Sequence, residues 1–214
     1  MPKTALVAGS TGLIGNQLLQ LLLNDEAYTR VIAISRRKLS IENSKLINVV
    51  CELNQLNDRA SELKADDVFC CLGTTMKQAR SKEAFRTIDL DAPLALAKIS
   101  KSNGVQNFLL ISALGASKRS SVFYNQVKGE VEELIGQMGF NGYHIFRPSL
   151  LFGPRTEQRS GEDAAKVFFK IFGWLVPKKY KAIESIKVAR AMLAFAKRGQ
   201  QGSFVHESGE LQSY

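Results

Sequence analysis

Apolar residues fall along this chain in two alternating rhythms. Short, nearly unbroken apolar runs such as Ala5-Leu-Val-Ala8, Val31-Ile-Ala-Ile34 and Phe108-Leu-Leu-Ile111 are one. Longer stretches with an apolar residue every third or fourth place are the other, as in Leu18-Leu19 followed by Leu22-Leu23. The first rhythm predicts buried strands and the second amphipathic helices. Strands are expected near 4–8, 30–35, 47–51, 67–72, 107–112 and 143–147, with a short last one over Ser203–His206. Helices are expected near 13–25, 55–63, 81–86, 88–102, 122–139, 161–173 and 184–198.

Unbroken apolar strands that alternate with helices imply a parallel sheet covered on both faces. Right-handed crossovers then give an α/β fold, a doubly wound Rossmann-type sheet. Its 214 residues are read as one such domain, with no repeat or low-complexity segment. Ligands of these sheets bind beyond the carboxyl ends of the strands. Here those ends are Gly9–Gly15, Ser35–Arg37, Leu53, Leu72–Thr75, Ser112–Leu114 and Pro148–Phe152. Residues 153–182, punctuated by Gly153, Pro154, Gly161, Gly173 and Pro177, read as a substrate-covering flap or as a surface loop with one helix.

Apolar content of 45% with 23% charged residues fits a globular protein. No apolar run reaches the roughly 20 residues of a membrane span, and the first residues lack the three regions of a signal peptide. With three cysteines, two adjacent (Cys70, Cys71), no disulfide framework is indicated, and cytoplasm is the expected compartment. Cys70 and Cys71 read as packed core thiols. His144 and His206 stand alone in sequence, with no metal-ligand spacing. The net charge of +9 is uneven: residues 151–200 hold eleven Lys/Arg against four Asp/Glu. Because Phe168, Phe169, Ile171, Trp174 and Leu175 interleave these charges, the stretch reads as solvated helix faces over a core. Nucleic acid is not the expected partner.

Three short patterns carry chemistry. The first is Gly9-Ser10-Thr11-Gly12-Leu13-Ile14-Gly15, between a strand and a helix. Gly9 permits the sharp turn, Gly12 lets backbone approach a ligand, and Gly15 lets the helix pack on the sheet. The helix start offers open N–H groups and a positive dipole end to a pyrophosphate. The second pattern follows the second strand. Sites that prefer NAD place an acidic residue there for the adenosine ribose, and this chain has Ser35, Arg36 and Arg37. Arginine pairs with a 2′-phosphate, so NADP(H) is expected over NAD(H). The third is Tyr124-Asn-Gln-Val-Lys128, which puts a phenol and an ammonium one turn apart on one helix face. An ammonium favours the phenolate form of a nearby tyrosine. Ser112, twelve residues earlier at a strand end, can hydrogen-bond the oxygen that the tyrosine protonates.

Taken in order, Gly9-x-x-Gly12-x-x-Gly15, Ser112 and Tyr124-x-x-x-Lys128 resemble the short-chain dehydrogenase/reductase superfamily over nearly the whole chain. Phe69-Cys-Cys-Leu-Gly-Thr-Thr75, Gln126-Val-Lys-Gly-Glu-Val131 and Phe146-Arg-Pro148 are similar to its atypical branch that includes the Tat-interacting-protein oxidoreductases. The resemblance implies that Tyr124 donates the proton, Lys128 anchors cofactor and phenol, and Ser112 partners the oxyanion. It implies that Leu53 lines the adenine site, and that Cys71, Leu72, Gly73 and Thr74 lie beside the adenosine ribose and pyrophosphate. Pro148, Leu150 and Leu151 would back the nicotinamide. Many members carry an asparagine near residue 89 that props the lysine through water; this chain has Asp89, a different charge.

The expected activity is NADP(H)-dependent oxidation or reduction of a small carbonyl or alcohol. The alternative is an NADP(H)-sensing binding protein whose 153–182 flap gates a partner. An epimerase or dehydratase would need a larger pocket and ranks third. Helices 88–102 and 122–139 can pair across a two-fold in a homodimer, although packing on the sheet also explains their apolar faces.

Overall fold

A computed structural model describes residues 2–153 and 177–214. In chain order its strands are β1 (Lys3–Ala8), β2 (Tyr28–Ser35), β3 (Leu46–Val50), β4 (Asp67–Cys70), β5 (Asn107–Ile111), β6 (Gly142–Arg147), β7 (Leu151–Phe152), β8 (Ile183–Glu184) and β9 (Gly202–Glu207). Seven form one sheet in the order β3-β2-β1-β4-β5-β6-β9, with every neighbouring pair parallel. β7 and β8 form a separate parallel pair. The doubly wound Rossmann-type sheet expected from the apolar runs is therefore present.

The pleat explains how one strand feeds two cores. Leu6 and Ala8 of β1 face one cluster, while Ala5 and Val7 face the other. The helices, in order, are α1 (Leu13–Asn24), α2 (Met76–Ala79), α3 (Lys82–Arg86), α4 (Ala92–Ser102), α5 (Phe123–Gly136), α6 (Ser185–Arg198) and α7 (Ser208–Leu211). On one face, Leu96 of α4 and Val127, Val131 and Ile135 of α5 pack against Val68, Phe108 and Ile145. On the other, Leu18 and Leu22 of α1 and Val188, Met192 and Phe195 of α6 pack against Phe69, Leu109 and Phe146. The helix expected near 55–63 is a 3-10 helix over Leu53–Glu62, begun by a reciprocal Glu52–Gln55 capping box. Asn54, Asn57 and Asp58, weak helix formers, fill this segment. The helix expected near 161–173 lies outside the described residues, as does most of the stretch 153–182.

Helices expected at 81–86 and 88–102 are joined rather than broken. A π turn over Thr87–Asp91 links α3 to α4, and the Ala92 N–H donates to the Thr87 carbonyl five residues back. Pro93 accounts for this: it has no N–H for the Asp89 carbonyl, and its ring would crowd that carbonyl in a regular α-turn. The wider turn absorbs the conflict. It also turns Asp89 inward, to 0% exposure.

Polar groups close the opposite end of the sheet. Asp67, fully buried at the start of β4, accepts from Tyr28 Oη at 2.7 Å, Asn107 Nδ2 at 2.6 Å and Lys3 Nζ at 3.0 Å. One carboxylate thereby joins the starts of β1, β2, β4 and β5. Burial, followed by the charge of Asp67, pushes the Tyr28 phenol far above its ordinary range. Asp67→Ala strands two buried donors, each worth about 1–3 kcal/mol when left unpaired. A loss of about 3 kcal/mol or more in urea unfolding is expected.

His144 and His206, read as solitary in sequence, meet in the fold. β6 and β9 are neighbours in the sheet, which brings His144 Nδ1 to 3.0 Å from His206 Nε2, both rings buried. His206 Nδ1 lies 3.2 Å from Glu210 Oε2 and donates to it. His206 Nε2 is then the acceptor for the His144 Nδ1–H. Phe195 stacks over His206 with ring centroids 3.7 Å apart. Burial, then the charges of His206 and Arg198, pulls His144 down to about 4. Burial also lowers His206, against the pull of Glu210. Both groups favour the neutral form in the fold. Their contribution is complete above the unfolded value of about 6.5 and is lost as the pH falls toward about 4. Urea midpoints measured between pH 7 and 4.5 should fall more steeply for the wild type than for His144→Gln, which keeps a donor for His206 but does not titrate. Equal slopes would place the acid sensitivity elsewhere.

Candidate functional site

The chain leaves β1 through a turn that only glycine fits. Gly9 has φ +82°, and a Cβ there would lie 2.5 Å from the Cys71 carbonyl oxygen. A Cβ on Gly15 would lie 2.1 Å from the Gly9 oxygen, so α1 seats directly on the turn. The Gly12 N–H donates to the Gly9 carbonyl at 2.9 Å. Gly12 is also the N-cap of α1, and no side chain caps this helix. Its first N–H groups are left open and aimed beyond the strand ends. Thr11 and Gly12 are exposed, Leu13 is half-buried, and Ile14 is buried. Ser10 is turned away: its buried hydroxyl donates to the Ile34 carbonyl at 2.9 Å and pins the turn to β2.

Beside this turn, the end of β2 presents cations. The Ser35 hydroxyl donates to the Arg37 carbonyl at 2.7 Å and accepts from Asn48 Nδ2 at 2.8 Å. Ser35 thus shapes the turn, and its side chain is committed inside the protein. Arg36 and Arg37 are exposed, and neither has an ion-pair partner among the described residues. Half-buried Leu53 follows β3 and packs on the core.

The end of β4 runs alongside. The Cys71 N–H donates to the Ala8 carbonyl at 2.9 Å, continuing the β1–β4 ladder past both strands. Burial pushes the Cys70 thiol up to about 12 and the Cys71 thiol well above its ordinary value. Both are poor nucleophiles, in line with packed thiols. Leu72 is buried, and Gly73 is exposed directly over the lysine of α5. A Cβ on Gly73 would lie 3.2 Å from Asp89 Oδ1 and 3.4 Å from Lys128 Nζ. Half-buried Thr74 gives its backbone N–H to Asp89 Oδ2 at 2.8 Å.

The catalytic candidates come from β5 and α5. Ser112 follows β5, with its N–H donating to the Phe146 carbonyl at 2.8 Å. It is 3% exposed, and its hydroxyl has no hydrogen-bond partner among the described residues. The loop from Ser112 to α5 is held close: Ser117 N–H bonds the Asn125 carbonyl, and a Cβ on Gly129 would lie 2.2 Å from Ser117 backbone. Tyr124 is half-buried, its ring 5.5 Å from that of Phe85. One turn on, Lys128 is buried, with Nζ 2.7 Å from Asp89 Oδ1. Burial is the largest influence on this ammonium and works to lower its pKa. The charges of Asp89 and Tyr124 outweigh it and hold the pKa above the usual lysine value. Sequence reasoning saw the charge of Asp89 and missed its contact; Pro93, four residues on, was the available signal.

Past β6, Pro148 is buried and Leu150 exposed, while Leu151 is half-buried in β7. The Pro148 carbonyl accepts from Leu114 N–H at 3.0 Å, joining this segment to the loop that starts at Ser112.

A glycine-cradled helix start at the point where a parallel sheet reverses its strand order defines a dinucleotide-binding Rossmann protein. The NAD(P)H-binding family model matches residues 9–198, and the chain belongs to that family. Protein HTATIP2 of Rattus norvegicus is 37% identical, over 89% of this chain and 80% of the relative. The mitochondrial protein FMP52 of Lodderomyces elongisporus is 30% identical, over 95% and 91%. The atypical short-chain dehydrogenase/reductase resemblance is thereby shown. Among solved structures, the Bordetella bronchiseptica enzyme WbmH in complex with NAD+ superposes with a TM-score of 0.74 at 17% identity, covering 97% of this chain and 76% of that one. MoeE5 in complex with UDP-glucose and NAD gives 0.73 at 20%, covering 94% and 74%. These two share the fold.

The expectation of a cytoplasmic protein is corrected by the relatives, since several fungal ones are mitochondrial proteins. Cysteine usage does not separate these compartments. No helix among the described residues is long and apolar enough to cross a membrane.

Proposed function

We propose that this protein is an NADP(H)-dependent oxidoreductase of a small carbonyl or alcohol, working through Ser112, Tyr124 and Lys128. The observation that carries the reading is the Ser112 hydroxyl, buried at a strand end with no partner among the described residues. A buried hydroxyl without a partner costs free energy unless a ligand completes it. The chain's own groups fit a dinucleotide: the uncapped start of α1 suits a pyrophosphate, and exposed Arg36 and Arg37 suit a 2′-phosphate. Bound NADPH supplies the hydride. Ser112 steadies the substrate oxygen as charge builds on it, and Tyr124 delivers the proton. Lys128 fixes the ribose and keeps a positive charge one helical turn from the phenol. In the reverse direction Tyr124 accepts the alcohol proton.

Tyr124→Phe removes the proton and little else. On an aldehyde, ketone or quinone found by screening, turnover should drop by about 10²–10⁴-fold, with NADPH affinity within about twofold of wild type. Normal turnover would refute the mechanism. Arg36→Asp sets a carboxylate against the 2′-phosphate. NADPH should bind at least about tenfold more weakly, the cost of one charge-assisted bond, while NADH affinity holds. Calorimetric titration with both cofactors reads this, and an equal loss for each would remove Arg36 from 2′-phosphate recognition.

A further inference from the structure

Asp89 is 0% exposed and carries its two oxygens to two different elements. Oδ1 lies 2.7 Å from Lys128 Nζ on α5, and Oδ2 accepts the Thr74 N–H at 2.8 Å past the end of β4. We propose that Asp89 is the positioning residue of this site, a direct charged strut that fixes the Lys128 ammonium and fastens it to the strand-end segment Gly73–Thr74. This rests on the reading of Lys128 as the cofactor-anchoring residue.

Lys128 needs such a strut. The residue is 4% exposed, and its ammonium faces Asp89 from the π turn, Tyr124 from its own helix and the Cys70 thiol from β4. Burial alone favours the neutral amine, and the nearby carboxylate is the strongest influence that restores the charge. A long, flexible side chain also has many rotamers to lose. Contact with a carboxylate that is itself tied to backbone selects one of them. The geometry adds a second consequence. Gly73 sits exposed above the pair, so close that a single added carbon would lie 3.2 Å from Asp89 Oδ1, tighter than ordinary contact, and 3.4 Å from Lys128 Nζ. A ligand lying against Gly73 would therefore meet an ammonium whose position is set by the same backbone it touches.

Asp89→Asn in the full chain is the test. Asparagine can still accept the Thr74 N–H but presents no charge to Lys128. Lysine labelled with 13C at Cε reports the protonation of Lys128 by NMR, the resonance being identified by its loss in Lys128→Met. The Lys128 midpoint should fall by at least one pH unit in Asp89→Asn, a tenfold weaker hold on its proton. NADPH affinity in the variant should then fall about tenfold between pH 7 and pH 10, over a range where the wild type changes less than threefold. A Lys128 midpoint equal to wild type in a folded Asp89→Asn protein would overturn the proposal. So would an affinity profile of wild-type shape. Wild type that fails to bind NADPH would refute the cofactor reading instead, and the NMR midpoints would still decide whether Asp89 holds the charge.

Should Asp89→Asn fail to fold, its combination with Lys128→Met supplies the decision. Removing the stranded ammonium should restore folding, with a urea midpoint close to that of Lys128→Met alone. A double variant that stays unfolded while Lys128→Met folds would show that Asp89 acts through other contacts, and the proposal falls.

Discussion

Everything at the ligand end of this sheet depends on how closely two backbones pass at its centre. β1 and β4 are neighbours, yet the chain leaving β1 enters α1 on one face and the chain leaving β4 enters α2–α4 on the other. The two paths part where Gly9 meets Cys71, with no room for a Cβ between them. The carbon absent at Gly9, together with the one absent at Gly15, lets α1 sit against the turn with its open N–H groups at the cleft. It also lets the β4 ladder run on to Cys71, which places Gly73 and Thr74 over α5. A side chain at position 9 would push the two strand ends apart and separate the phosphate cradle from the lysine.

Charge is distributed along the sheet in a way the parallel topology requires. Strands covered on both faces leave no solvent for polar groups in the middle, so polar groups collect at the two ends. At the end away from the cleft, Asp67 of β4 accepts from Asn107 of β5, Tyr28 of β2 and Lys3 of β1. At the cleft end, Asp89 forms an ion pair with Lys128 and accepts the Thr74 N–H. The two clusters differ in kind. Asp67 bonds partners at the starts of strands already in register, so it reinforces a geometry that the ladders set. Asp89 joins a π turn to a helix and to a loop, elements that no ladder connects.

Much of this was legible in the chain. Ala5–Ala8 and Phe108–Ile111 are apolar without interruption, which suits a strand covered on both faces, and the glycine turn, Gly73 and Ser112 were expected just past strand ends, where they lie. Contacts made by topology were not legible. His144 and His206 are 62 residues apart and meet only because β9 adds beside β6. Ser10 and Ser35, read as ligand-facing, bond inside the protein, because their backbone positions turn the hydroxyls toward β2 and β3. Residue type marks a hydroxyl but does not say which side of a turn it faces. Pro93 falls inside the helix expected over 88–102. Its spacing from Asp89 signals an irregular turn, but that the turn brings Asp89 onto Lys128 shows only with the helical path in hand.

The ion pair at the cleft end divides the site electrically. Lys128 with Asp89 sums to no net charge, so the end of the cleft at Ser112 and Tyr124 is left polar and close to neutral. Arg36 and Arg37, without ion-pair partners among the described residues, stand at the far side of the glycine turn with the positive end of α1 between. An anionic group is thus attracted to the turn and the β2 end, and much less to Ser112 and Tyr124. A dinucleotide carrying its phosphates at one end and an uncharged ring at the other would be drawn in with one orientation on these grounds alone, before any specific contact with the ring. Had Lys128 been unpaired, a buried cation beside the phenol would have competed for the phosphates and blurred that orientation. The buried pair costs desolvation energy that an apolar pair would avoid. What it provides in exchange is an ammonium fixed in place without a second pole of attraction for phosphate.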